Sequence, residues 1–253
     1  MKHKENRVKL KTDKINFILL FSAYKKAINE VEGLRGLVFR GLLLNYFIFF
    51  VVTLILNGIF FYQILNPIIN LIFGDGEGIW SSVGKFFLWS IQLTFAAVIS
   101  LASIRFSVEL ISLWHQTIVN RIIGYFRQVE EKRFTMQALA TDMKYILKEA
   151  LKCLFSPILL LLVGLIPLIG IPIVFILEAH LLGRQSIVVY LESLTNPDES
   201  SELRKIWRWV PIRVGILPAA LTFIPFVGWL LLPLTITFEV IGFTYLVEKS
   251  RTS

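Results

Sequence analysis

A single cysteine, Cys153, serves the whole 253-residue chain, so neither an intrachain disulfide nor a thiolate metal cluster can form within one copy. Histidine is almost as sparse. His3, His115 and His180 stand far apart, with no His-x-x-x-His pair and no carboxylates at ligand spacing, which leaves metal catalysis without a ligand set. There is no Gly-x-Ser-x-Gly, no glycine-rich phosphate loop ahead of Lys-Ser/Thr, and no Cys and His pairing of a nucleophile with its base. These absences predict a protein that is not an enzyme and carries neither cofactor nor metal. Charge is short too, at 17% of residues, where soluble domains carry about a quarter.

What fills the chain instead is apolar: 55% of residues are hydrophobic and the mean hydropathy is +0.69. A soluble domain of this length cannot hide that much apolar surface, so the sequence predicts an all-α integral membrane protein. The formal charge of +8 suits exposed parts that lie against anionic lipid headgroups. Nucleic acid is not expected as a partner, because the cations are scattered between apolar runs rather than gathered on one soluble module.

Residues 1–32 read as a basic tail followed by an amphipathic surface helix. Phe17, Leu20, Phe21, Tyr24, Ala27, Ile28 and Val31 recur at helical spacing, with Ser22, Lys26, Asn29 and Glu30 opposite. The first apolar run, Phe17 to Phe21, is too short for a secretory signal, so none is expected. Residues 33–253 read as one membrane domain. No formal charge occurs from Gly41 to Phe73, which predicts a first span over about 41–66, ending near Pro67. Asn45, Asn57, Gln63, Asn66 and Asn70 punctuate that stretch, as polar groups that join helices or line a pore. A second uncharged run, 86–104, has 19 residues and just suffices to cross. Its apolar period continues past Arg105 as an amphipathic rod, and residues 74–85 between the spans read as a glycine-rich turn. Residues 1–40 hold ten Lys and Arg and residues 105–152 hold eight, so the turn is expected outside and both flanks, with both chain termini, in the cytoplasm.

The C-terminal hundred residues contain a repeat: Ile166-Pro167-Leu168-Ile169-Gly170 returns as Ile224-Pro225-Phe226-Val227-Gly228, 58 residues later. Each copy interrupts an uncharged run of 25 residues, 153–177 and 214–238. Proline removes a backbone donor and glycine allows a sharp reversal, so each copy marks a helix end and a turn. The 13 residues from Leu154 to Ile166 make only about 20 Å of helix, short of a crossing. Two re-entrant hairpins over about 153–191 and 214–247 are therefore expected, with tips at Pro167, Gly170, Pro225 and Gly228. Turn backbone at membrane depth needs protein neighbours, which predicts packing between the repeats and a homo-oligomer.

Gly33-Leu34-Arg35 followed by Leu42-Leu43-Leu44-Asn45, the paired Ile-Pro-x-x-Gly tips, Gly215 and Pro233 flanking the second tip, and Tyr190-Leu191-Glu192 together resemble the CysZ sulfate-permease family of bacterial inner membranes, relatives of the etoposide-induced protein. The likeness runs from about Gly33 to Val247. It implies two long spans, two hemi-penetrating hairpins, a bacterial inner-membrane location, and sulfate or a related small oxyanion as the partner. Gly36 and Gly41 depart from the family's second Arg and its Pro, and Gly228 replaces a frequent Asn.

Gly33, Leu34 and Arg35 are the candidate anion site. Backbone N–H groups at a new helix start and a forked guanidinium suit a tetrahedral oxyanion, and the resemblance implies the same role. The alternative is an interfacial arginine snorkelling beside a helix break. Arg40, Glu178, His180, Arg184 and Glu239 are candidates for a polar pathway, since ionisable groups near apolar zones mark pathways or buried pairs unless they sit at the interface. The expected function is channel-like or permease-like uptake of sulfate or a related oxyanion. The competing expectation is a non-transporting protein that organises lipids or partner proteins.

Overall fold

The computed structural model describes residues 15–67, 79–110, 112–127, 162–163, 166, 169–194, 197–224 and 227–252. Among them every regular element is helical: α1 (Phe17–Glu30), α2 (Leu34–Ile59), α3 (Ile79–Leu110), α4 (Ser112–Phe126), α5 (Gly170–Glu192), α6 (Pro197–Ile206), α7 (Val210–Val214), α8 (Ile216–Thr222) and α9 (Val227–Thr252). Pro167, Pro225 and the basic segment 142–153 lie outside the described residues.

Asn16 starts α1 by accepting the Leu19 N–H at 2.9 Å, the N-cap role its short amide side chain favours. The apolar stripe of α1 is covered by protein: Leu20, Ala23 and Ala27 are buried, and Phe17, Phe21 and Tyr24 close around Phe238 of α9. A Cβ on Gly242 would run into the Leu20 carbonyl, so a glycine there lets α1 lie directly on α9. The helix expected on the membrane surface thus belongs to the same packed body as the apolar helices.

α2 has 26 residues, roughly 39 Å of helix, and continues through a π-helical turn at Phe60–Leu65. Phe47, Phe50, Leu54 and Ile55 are exposed along it, as a lipid-facing surface would be. α3 begins at Ile79, so the second half of the expected 74–85 turn is already helical. The amphipathic continuation of that helix is present, but bent: Thr94–Leu110 and Trp114–Phe126 meet at 45°.

Among the described residues three helical stretches are long and apolar enough to cross a bilayer, Leu34–Gln63, Gly170–Glu192 and Val227–Thr252, and a fourth if the bent pair is one span. Two of these, α5 and α9, are the arms that follow the repeated motif. The arm preceding the second motif, α7 with α8, covers residues 210–222 and is too short to cross alone. Its reversal into α9 is locked by the Trp229 indole, which donates to the Thr222 carbonyl at 3.0 Å, and by Gly228, where a Cβ would overlap the Leu221 carbonyl. α7 and α8 also press against α5. Gly183 and Gly215 face each other there, and a Cβ on either would strike the other element's backbone at Pro211 or Ala179.

Candidate functional site

Two polar regions stand out. The first is the turn between α1 and α2. Gly33 has φ +75, the left-handed conformation that glycine adopts without strain, and α2 starts directly after it. The first i to i−4 bond of α2 runs from Leu37 N–H to Gly33 O at 3.3 Å, and of the amides before it Leu34 N–H donates to the Val31 carbonyl at 3.3 Å, which leaves those of Arg35 and Gly36 outside the i to i−4 ladder. Leu34 is buried and anchors the turn, while Arg35 is exposed. The Arg35 guanidinium donates to Asn29 Oδ1 at 2.6 Å and to the Ile28 carbonyl at 3.3 Å, which folds it back over the end of α1. A second guanidinium arrives from α4: Arg121 Nε donates to the Glu32 carbonyl at 3.1 Å, and its Nη2 lies 3.5 Å from where a Cβ would stand on Gly33. Arg121 was not among the residues singled out from the sequence. It lies 88 positions from Gly33, and nothing local marks it. Arg40, a pathway candidate on the same helix, is exposed on α2.

The second region is a set of buried polar contacts among the long helices. Arg105 of α3 and Glu178 of α5 form an ion pair with both side chains 4% exposed. The next contact between these helices joins the Gln185 amide to the Glu109 carboxylate, and Gln116 of α4 donates to Glu192 at 3.2 Å. Glu178, Gln185 and Glu192 recur every seven residues, close to two helical turns, so α5 presents one polar stripe to α3 and α4. Asn45 of α2, 1% exposed, accepts from Ser107 Oγ at 2.8 Å, while its Nδ2 has no partner among the described residues. His115 of α4 meets Thr237 of α9 at 3.0 Å.

Between α5 and α9, the Tyr190 hydroxyl donates to Glu248 at 2.7 Å, and Arg127 reaches the same carboxylate at 3.1 Å. Arg251 sits beside Glu248 and pairs with Glu199 of α6 at 2.6 Å. Glu239, also on α9, is 1% exposed and stands beside the Ser186 hydroxyl of α5.

Of the five pathway candidates, Glu178 and Glu239 are buried, His180 is half-buried, and Arg40 and Arg184 are exposed. Glu178 turns to α3 and Glu239 to α5, so the two buried carboxyls serve different helix contacts. Arg105 was legible only as part of a polar stripe. The usable signal was position: it is the first charge after the 86–104 run, as Glu178 is the first after 153–177.

Long lipid-facing helices enclosing ion pairs and buried carboxyls define a multi-pass α-helical membrane protein with a polar interior, a composition that transport proteins share. Residues 23–233 match the family described as sulfate transporter CysZ/etoposide-induced protein 2.4, and the chain belongs to that family. No curated protein matches it.

Proposed function

We propose that this protein takes up sulfate or a related small oxyanion as a channel-like or permease-like homo-oligomer in a bacterial inner membrane, with both termini in the cytoplasm. The observation that carries the reading is the α1–α2 turn of a chain in this family. There a left-handed glycine opens a helix start that carries Arg35, with the Arg121 guanidinium beside it. Amides and forked guanidinia are the donors that a tetrahedral anion uses. The arms that flank the second Ile-Pro-x-x-Gly motif, one short and one long, support a re-entrant hairpin, and the repeat extends the same reading to the first motif.

The experiment is uptake of labelled sulfate into proteoliposomes, alongside calorimetric sulfate binding to the purified protein. Saturable uptake and binding would support the proposal. Neither, from folded protein, would overturn it in favour of the second reading, a protein that organises lipids or partners. Gly36, standing where the family has a second Arg, and the engagement of Arg35 by Asn29 favour that second reading.

A further inference from the structure

Two indoles two residues apart meet opposite environments. Trp207 is buried, its ring centroid 5.9 Å from that of Tyr190 and 5.2 Å from that of Phe243, while Trp209 is 65% exposed. Ile206, at the end of α6, is exposed as well. The segment that carries them is basic. Arg204 and Arg208 are exposed and in no ion pair among the described residues, and Glu202 is the one acid in residues 200–213. The Arg208 guanidinium lies over the Trp209 ring, 5.4 Å from its centroid. Water suits the arginines but not a bare indole beside a bare isoleucine, whereas the boundary between headgroups and acyl chains accepts all four.

The arm that follows repeats this order along its length. Its inner face, with Val214, Ala219 and Thr222, is buried. Arg213, Ile216 and Phe223 are exposed, at four, seven and fourteen residues from Trp209, which is the spacing of one outer line on a helix. Along that line the chemistry passes from Trp and Arg at the start of α7 to Ile and Phe roughly 20 Å further on. A phospholipid presents the same sequence, phosphate first and acyl chain after. An acidic protein partner would account for the arginines but not for the apolar run beyond them. A zwitterionic lipid would account for the run, but its headgroup carries no net charge for the arginines to meet.

We infer that residues 204–209 and the outer face of the α7–α8 arm form a site for an anionic phospholipid. Arg204 and Arg208 take the phosphodiester, for which a planar fork of N–H donors is suited, Trp209 lies at the headgroup boundary, and Ile216 and Phe223 carry the acyl chain. The inference goes beyond sulfate uptake and rests only on the chain being a membrane protein.

The test reads Trp209 in full-length protein in liposomes of phosphatidylcholine with a small share of phosphatidylglycerol. One lipid or the other carries bromine on its acyl chains, so that a neighbouring indole is quenched, and the Trp209 signal is the difference between wild type and Trp209→Phe. The ratio of phosphatidylglycerol to phosphatidylcholine at Trp209 is expected to exceed the bulk ratio about five-fold or more, the bias that a single cation supplies near an anionic surface, and to shrink in high salt. Arg204→Gln with Arg208→Gln should bring it close to the bulk ratio, and the corresponding lysine pair should retain part of the excess. Quenching by both lipids in proportion to their share overturns the inference, because Trp209 then touches lipid without selecting it. Quenching by neither also overturns it and leaves the patch to water or to an acidic protein. Should the glutamine pair fail to fold, the salt dependence of wild type decides, and an excess that salt leaves unchanged overturns the charge-based site. Sulfate flux, measured separately, is touched by none of these outcomes.

Discussion

Arg105 on α3 and Glu178 on α5 pair out of contact with solvent, and this contact helps tie the second long helix to the arm that follows the first Ile-Pro-x-x-Gly motif. Each charge of a buried pair offsets part of what the other loses on leaving water, so removing one partner strands the other and is far worse than removing both. Arg105→Met or Glu178→Leu alone should cost about 3 to 5 kcal/mol, whereas the double variant should return close to wild-type stability. Denaturation in detergent micelles, arranged as a double-mutant cycle, checks this. Additive losses would show that the pair is not energetically coupled.

Glycine decides how closely the helices approach. Gly183→Ala and Gly215→Ala each push a methyl into the facing backbone, and each should destabilise by about 1 to 3 kcal/mol as α5 and the α7–α8 arm are forced apart. Gly58 and Gly124 have nothing within 4 Å of a new Cβ, so alanine there should be neutral or stabilising by up to about 1 kcal/mol. Thermal melting of the four variants in one detergent separates the two classes, and equal effects would contradict the close-packing assignment.

Charge asymmetry makes a topological prediction. In a Cys153→Ser background, a cysteine at Gly76 should react with an impermeant thiol reagent from outside the cell, and cysteines at Ser200 and Ser253 should not. External labelling at Ser200 would mean that the 153–192 region crosses completely, which would end the re-entrant reading.

How far the fold was legible depends on the range of the interaction concerned. Uncharged runs announced α2, and the proline and glycine of the second motif announced the α8–α9 reversal, because both are local properties of backbone and solvent. The burial of α1 against α9 was not legible: a stripe of Leu20, Ala23 and Ala27 looks the same whether lipid or Gly242 covers it. At the candidate site, Gly33 and Arg35 could be found because they adjoin in sequence. Arg121 could not, since the bend between α3 and α4 delivers it from 88 positions away. Glu239 drew notice as a charge in an apolar stretch, but its place beside Ser186 of α5 is a fact of three-dimensional packing.

Gly36 offers a gain-of-function test. It is exposed on the first turn of α2 with nothing within 4 Å of a new side chain, so arginine fits and also improves helix propensity. Gly36→Arg restores the second charge of the family motif and adds a charge-assisted contact of about 1.5 to 3 kcal/mol. Sulfate affinity by calorimetry should rise roughly ten-fold or more. An unchanged affinity would place the anion elsewhere.

The last prediction concerns Arg35 and Arg121 together. Arg35 is exposed in the opening turn of α2, so its loss should remove a contact worth about 1.5 to 3 kcal/mol and weaken sulfate binding roughly ten to a hundred fold. Arg35→Lys should recover only part, because an ammonium keeps the charge but loses the planar fork. Arg121 acts from a different helix and also holds the Glu32 carbonyl. Arg121→Ala should therefore weaken binding twice over, by lost charge and by a loosened turn, and Arg121→Lys should restore less than Arg35→Lys does. Lys205→Ala, an exposed change on α6, is the control and should bind as wild type does. Calorimetry on each variant, with gel filtration to confirm folding, makes the comparison. If Arg35→Ala binds sulfate as well as wild type, the turn is no anion site, and Arg35 is an interfacial anchor held by Asn29 and Ile28.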